Sequence, residues 1–121
     1  MSVLDASALL AFLQGEAGSD LVETQLLSGA RCGAANWSEV AQKVLRAGRD
    51  WDLVKALLGA YSVDIEEVSE QDAEWAALRW RPGQTLSLGD RLCLALAERV
   101  DEDVWTADRA WGSEGRVRQI R

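Results

Sequence analysis

The chain contains no histidine. That absence removes the side chain most often used as a general base near neutral pH, and with it the commonest nitrogen ligand for a metal. Cysteine is nearly absent too. Cys32 and Cys93 lie far apart among apolar or small residues. Their spacing fits neither a CxxC redox pair nor a thiolate zinc site, so both read as small buried hydrophobes. A single proline, in Arg81-Pro82-Gly83-Gln84, marks one break between helical patterns. No apolar run approaches the roughly 18–20 residues needed to cross a bilayer, which argues against a membrane span. The N-terminus shows no basic segment followed by a cleavage site, which predicts no secretory signal and a cytoplasmic location. Positive charge is also short, with 13 Lys and Arg against 20 Asp and Glu and a net charge of −7. Nucleic-acid binders usually carry an overall basic footprint, and this chain does not. The cations present are mostly arginine, and Arg79, Arg81, Arg91 and Arg109 flank the acids discussed below. They read either as a local basic rim or as solvated surface groups. The acidic total also suits a basic protein partner.

What is present describes one globular domain over residues 1–121. Hydrophobic residues make up 48% and charged residues 27%, and a chain of 121 residues buries a core without staples. A short strand is expected at about Ser2–Asp5, then a nearly all-apolar helix over Ala6–Leu13 that Gly15 and Gly18 break. Ser19-Asp20 caps a second helix through Leu27. Arg31–Ala35 is fit for a strand. Trp37, Val40, Ala41 and Val44 keep helical spacing, as do Val54, Leu57, Leu58 and Tyr61 after Gly48. Ser62–Val68 alternates as a strand. Ser69-Glu70-Gln71-Asp72 opens a helix with the stripe Ala73, Ala76, Ala77 and Trp80. Leu92–Ala97 is apolar at every position, the mark of a helix buried on most of its surface. Asp103–Thr106 and Val117–Ile120 are two last strands. Strands alternating with helices predict an α/β fold, with a parallel sheet covered on both faces. Right-handed crossovers gather the strand-to-helix turns at one edge, where ligands bind.

Four acids fall at such turns. Asp5 ends the first strand, Glu39 and Asp90 lie near the starts of two helices, and Asp108 follows the strand-like Val104-Trp105-Thr106. Each has a structural explanation. Asp5 caps a helix, Asn36-Trp37-Ser38-Glu39 matches a capping box, and Ser87-Leu88-Gly89-Asp90 is the same box with aspartate. A carboxylate at a helix N-terminus also gains about 0.3–1 kcal/mol from the helix dipole. Taken together the acids read differently. A buried ionised carboxylate must be paired or bind a metal, and the neighbouring Arg91 and Lys43 are expected on other faces. Converging carboxylates in a chain without histidine suit a hard divalent cation, magnesium or manganese in its place. Such a site fits phosphodiester hydrolysis, in which the cation activates water and an acid not bound to it orients that water. Ser7 and Thr106, each two residues from an acid, are expected to support the carboxylates or to cap helices.

Four stretches in this order, VLDASALLAFL, NWSEVAQK, LSLGDRLCLALA and VWTADRAW, resemble the PIN-domain family, specifically its VapC-type bacterial toxins. The resemblance spans nearly the whole chain; the middle, Asp50–Arg81, matches only as generic helix and strand. It implies an α/β/α sandwich around a parallel sheet. It also implies a magnesium-dependent ribonuclease acting on RNA, a small antitoxin as partner, and a homodimer. By that resemblance Asp5, Asp90 and Asp108 are the metal-site aspartates, with Asp5 and Asp90 the direct ligands. Glu39 completes the acidic quartet, and Ser7 and Thr106 support it.

Of the six tryptophans, Trp75 and Trp80 are expected to make core or subunit contacts. Trp37 and Trp111, close to site acids, are candidates for stacking on an RNA base. Two rival readings stand beside the nuclease. Phosphoryl transfer on an aspartate needs a second acid two residues after Asp5 or beside it, and Asp5-Ala6-Ser7 lacks it. A catalytically silent module acting through a protein partner is the non-enzymatic alternative.

Overall fold

A computed structural model describes all 121 residues. Along the chain run β1 (Ser2–Leu4), α1 (Ala6–Gln14), α2 (Ser19–Leu27), β2 (Ala30–Gly33), α3 (Ala34–Arg46) and α4 (Trp51–Ala60). β3 (Asp64–Glu66), α5 (Glu70–Leu78), α6 (Leu88–Val100), β4 (Val104–Thr106) and β5 (Val117–Gln119) follow, with one 3-10 turn at Arg109–Trp111. The sheet order is β3-β2-β1-β4-β5 and every neighbouring pair is parallel. This is the α/β architecture with helices on both faces that the alternation of patterns predicts.

The strand faces divide the core. Val3, Val104 and Val117 stand in register and pack with Cys93, Leu96 and Ala97 of α6. Leu4 faces the other way, onto Leu9, Val22, Leu26 and Val40 from α1, α2 and α3. Burying each such aliphatic side chain contributes about 1.5–3 kcal/mol. The chain runs outward from β1 through β2 to β3, then returns to lay β4 and β5 on the opposite side. The strand order therefore reverses between β1 and β4, and the crevice beyond their C-terminal ends is where an open parallel sheet receives a ligand.

Several local expectations are corrected. Asn36 caps nothing: β2 runs directly into α3, whose N-cap is Gly33. A Cβ at position 33 would stand 3.2 Å from Asn36 Oδ1, a tight contact that glycine avoids. Ser19-Asp20 does not cap α2 either. Its N-cap is Gly18, at φ 92°, where a Cβ would meet the Ile120 carbonyl oxygen at 2.6 Å. The strand expected over Ser62–Val68 contracts to an edge of three residues, Asp64–Glu66. α5 ends at Leu78, so Trp80 lies beyond it and is 58% exposed; of its expected stripe only Ala76 is buried. Arg91, read as part of a basic rim or as a solvated group, is instead buried and donates from Nη1 to the Ala76 carbonyl at 2.8 Å, tying α6 to α5.

Candidate active site

β1 ends at Leu4 and delivers Asp5 into the crevice beside β4. Asp5 has extended backbone (φ −82°, ψ 175°) and is the N-cap of α1. Its Oδ1 accepts from the Ala8 amide at 2.8 Å, and the Ser7 hydroxyl donates to the same carboxylate at 2.8 Å. From β4, the fully buried Thr106 donates its hydroxyl to Asp5 Oδ2 at 2.6 Å. The two hydroxyls also tie down the neighbouring strand-to-turn backbone. Ser7 Oγ accepts from the Ala107 amide at 2.9 Å, and Thr106 Oγ1 accepts from the Asp108 amide at 3.0 Å. Ser7, from α1, and Thr106, from β4, thus brace the carboxylate between the two elements.

Asp5 is 4% exposed, yet none of the chain's ion pairs includes it. Burial pushes its carboxyl up to about 6; the bonds from Thr106, Ala8 and Ser7 oppose that rise, and the negative charge of Asp90 adds to it. Three hydrogen bonds do not offset the loss of water around the charge.

Glu39 and Asp90 reach the same region from α3 and α6. Asp90 closes the expected capping box: its amide donates to Ser87 Oγ at 3.1 Å, and its Oδ2 accepts from the Ser87 amide at 2.9 Å. Glu39 is half-buried and raised above the usual carboxylate range, first by burial and further by Asp90, against an opposing bond from Asn36 and the charge of Lys43. Asp90 thus acts electrostatically on both Asp5 and Glu39. The capping box foreseen at Asn36–Glu39 is replaced by a bracket. Asn36, buried on the Val40–Val44 side of α3, donates from Nδ2 to Glu39 Oε1 at 3.0 Å and to the Gly89 carbonyl at 3.2 Å. Gly89 leaves the room: a Cβ there would stand 2.6 Å from Glu39 Oε1. Asn36 is the supporting residue that sequence reasoning read only as a cap. Its signal was positional, a polar group four residues ahead of Val40 and eight ahead of Val44 on a buried stripe.

Asp108 stands apart in kind. It is exposed, and its Oδ1 accepts from the Ala110 amide at 2.9 Å as N-cap of the 3-10 turn. It lines a cleft of about 310 Å³ with Ser7, Leu10, Gln14, Lys43 and Arg121 among others. An apolar groove of about 350 Å³ between α1, α3 and α4 shares Leu10, Gln14 and Lys43 with that cleft. As the side chains stand, no three acids converge closely enough to hold one ion between them. The donor chemistry still fits a hard cation. The donors are all oxygen, and Asp5 is buried without a cation. The tryptophans proposed as stacking platforms are otherwise engaged. Trp111 is buried in the α6-side core, and Trp37 packs edge-on against Trp51 with ring centroids 5.1 Å apart.

A PIN domain model matches residues 2–113. The chain belongs to the PIN domain family. Among solved structures, this PIN domain is similar to a chain of a toxin-antitoxin complex from Klebsiella pneumoniae. That match has a TM-score of 0.81 at 18% identity and covers 100% of this chain and 98% of the other. It is also similar to VapC20 of Mycobacterium tuberculosis, described as a sarcin-ricin loop cleaving toxin, with a TM-score of 0.75, 16% identity and 97% of each chain covered. No curated protein matches its sequence. At these identities the structural likeness speaks for the fold, and the PIN architecture agrees with the strand order and crossover described above.

Proposed function

We propose that this PIN domain is a divalent-cation-dependent endoribonuclease that hydrolyses RNA phosphodiester bonds, and that it is the toxin of a toxin–antitoxin pair. The observation that carries the reading is the Asp5 carboxylate. It is buried at the sheet's switch point, held by three donors, raised to about 6 and acted on by Asp90, with no cation of the protein to neutralise it. A structural acid in that position would be paired. Family membership and the likeness to a chain of a toxin-antitoxin complex and to a toxin support the same reading.

Asp5 and Asp90 would hold the cation, magnesium or manganese, and Asp108 would join them as a third carboxylate. When bound, the cation supplies charge to the phosphoryl oxygen and lowers the pKa of water. The chain's own residues do the rest. Ser7 and Thr106 fix the Asp5 oxygens. Asn36 holds Glu39 Oε1 and leaves the other oxygen to orient water and accept its proton.

The acidic site also suits a basic protein partner. An antitoxin laid along the apolar groove between α1, α3 and α4 would reach the cleft across the shared rim of Leu10, Gln14 and Lys43. An arginine from it would fork onto the carboxylates. Residues 1–121 are taken to act as one nuclease domain, working as a homodimer in the cytoplasm; no helix is long and apolar enough to cross a membrane.

Incubating the purified chain with RNA in magnesium, in manganese and in EDTA tests the activity. Cleavage is expected with either cation and none in EDTA, with Asp5→Ala and Asp90→Asn inactive but folded. Cation-independent cleavage, or full activity in either variant, would overturn the assignment. The silent-module alternative requires that no RNA be cut under any of these conditions.

A further inference from the structure

The segment between α5 and α6 shows features that the acid site does not use. Arg79, Trp80 and Arg81 are consecutive and exposed, and Trp80 is 58% exposed with Leu78 beside it at 75%. An exposed indole beside an exposed leucine offers a flat apolar face to a ligand.

The segment is built rather than loose. The Gln84 side chain stitches it closed: its Oε1 accepts from the Arg81 amide at 3.1 Å and its Nε2 donates to the Arg79 carbonyl at 3.3 Å. The Arg79 guanidinium lies over the Trp75 ring, 3.5 Å from its centroid, and donates to the Trp75 carbonyl at 3.3 Å. Arg81 Nη1 donates to the Leu78 and Trp80 carbonyls at 3.2 and 2.9 Å. Every one of these bonds goes to a neutral acceptor. Neither arginine belongs to any of the chain's ion pairs; the same holds for Arg46, Arg49, Arg91 and Arg109, but only here do two such arginines flank an exposed indole. In a chain of net charge −7, two positioned arginines keep their charge unneutralised on either side of an exposed indole. The location is also fixed. Arg91, next to Asp90, bonds Ala76 near the end of α5, so this segment sits at the end of α6 that carries Asp90.

We infer that Arg79, Trp80 and Arg81 form a ledge for single-stranded RNA leading to the acid site. The Trp80 ring stacks on a base and the two guanidiniums meet flanking phosphates. Stacking and unneutralised arginine together are the chemistry of single-strand binding, and the stack is tolerant of sequence. This inference rests on the ribonuclease reading and adds to it where the strand lies. It moves the base-stacking role from Trp37 and Trp111, which are packed, to Trp80, which is free.

The test is fluorescence anisotropy of a labelled single-stranded RNA of mixed sequence with the full chain in EDTA, where nothing is cut, over a range of salt. Cleavage in magnesium and sedimentation of the same proteins run alongside. Trp80→Ala is expected to weaken binding by roughly tenfold or more. The Arg79→Gln/Arg81→Gln pair is expected to lower the steepness of log Kd against log salt by about 1.4, the share of two phosphates on a single strand. All three side chains are solvent-facing, and unchanged melting temperatures would confirm that the variants fold. Wild-type affinity and salt slope in the variants, with RNA still cut by the parent chain, would overturn the ledge and leave the nuclease reading standing. A dimer that becomes monomer in Trp80→Ala with RNA affinity intact would assign the face to a second copy and overturn it as well. A parent chain that neither binds nor cuts RNA would end both readings together.

Discussion

Two acids of this chain share a local setting and differ in everything around it. Asp5 is 4% exposed and Asp72 is 3% exposed, and both serve helix N-termini through side-chain contacts to backbone amides. Asp72, at the start of α5, also meets Arg99 of α6, which donates from Nε at 2.9 Å and from Nη2 at 3.1 Å. Burial alone would raise Asp72, but the Arg99 and Ser69 bonds outweigh it and hold the carboxyl below its usual range. Asp5 receives hydroxyls and an amide but no cation, and burial carries it up to about 6. The α5–α6 contact is a completed structural pair. The β1–β4 crevice holds a charge that the fold leaves uncompensated. A cap motif therefore says where an acid sits, and the partner across the fold says what it is for.

The largest expected effect that separates the two is on turnover. Asp5→Ala should lower RNA cleavage by about a thousandfold or more, the scale on which a lost electrostatic stabiliser is felt. Asp72→Asn should leave cleavage within a few fold, as measured on a defined RNA at saturating magnesium.

Stability should separate them with opposite signs. A group raised in the folded state stabilises it below its unfolded value, here 3.8, and loses that contribution as pH rises through about 6. In the cation-free chain at pH 7.5 the ionised Asp5 therefore costs about 3 kcal/mol. Asp5→Asn keeps a competent cap and should be more stable by as much as that, with the difference fading below pH 4. Asp72 is lowered, so its contribution is present above 3.8 and is lost as pH falls through its folded value. Asp72→Asn should be destabilised at pH 7.5 by about 1–3 kcal/mol, and less in acid. Urea denaturation at pH 4 and pH 7.5 reads both.

Two smaller effects sharpen the account of how the carboxylates are held. Thr106→Val removes the 2.6 Å donor to Asp5 Oδ2 and the acceptor for the Asp108 amide, and should cut activity by about 10–100-fold with the fold retained. Asn36→Ala frees Glu39 and unties α3 from Gly89, and should cost about tenfold, chiefly in kcat.

Much of this was legible in the sequence because it rests on short-range order. The strand-then-acid pattern at Val3-Leu4-Asp5, the capping boxes at Ser69–Asp72 and Ser87–Asp90, and the apolar run Leu92–Ala97 each specify their own element. The parallel sheet follows from their alternation. The misread parts depend on contacts between distant segments. Asn36 looks like a cap in a window of four residues; only the direct passage of β2 into α3 turns it into a bracket for Glu39. Trp111 and Trp80 exchange their expected places, because the 3-10 turn folds one into the α6-side core while α5 stops short of the other. Gly18 and Gly89 are needed for what lies across the fold, the Ile120 carbonyl and the Glu39 carboxylate, and nothing near them in sequence announces it.

The most direct measurement is the titration of the Asp5 and Asp72 side-chain carboxyl carbons by NMR, with and without magnesium. The account predicts that Asp5 titrates near pH 6 in the free chain and falls well below that when magnesium is added, while Asp72 titrates below the usual range and does not respond. An Asp5 that titrates at an ordinary carboxylate value, or that keeps its raised value in magnesium, would contradict the claim that this carboxylate is held in readiness for a cation.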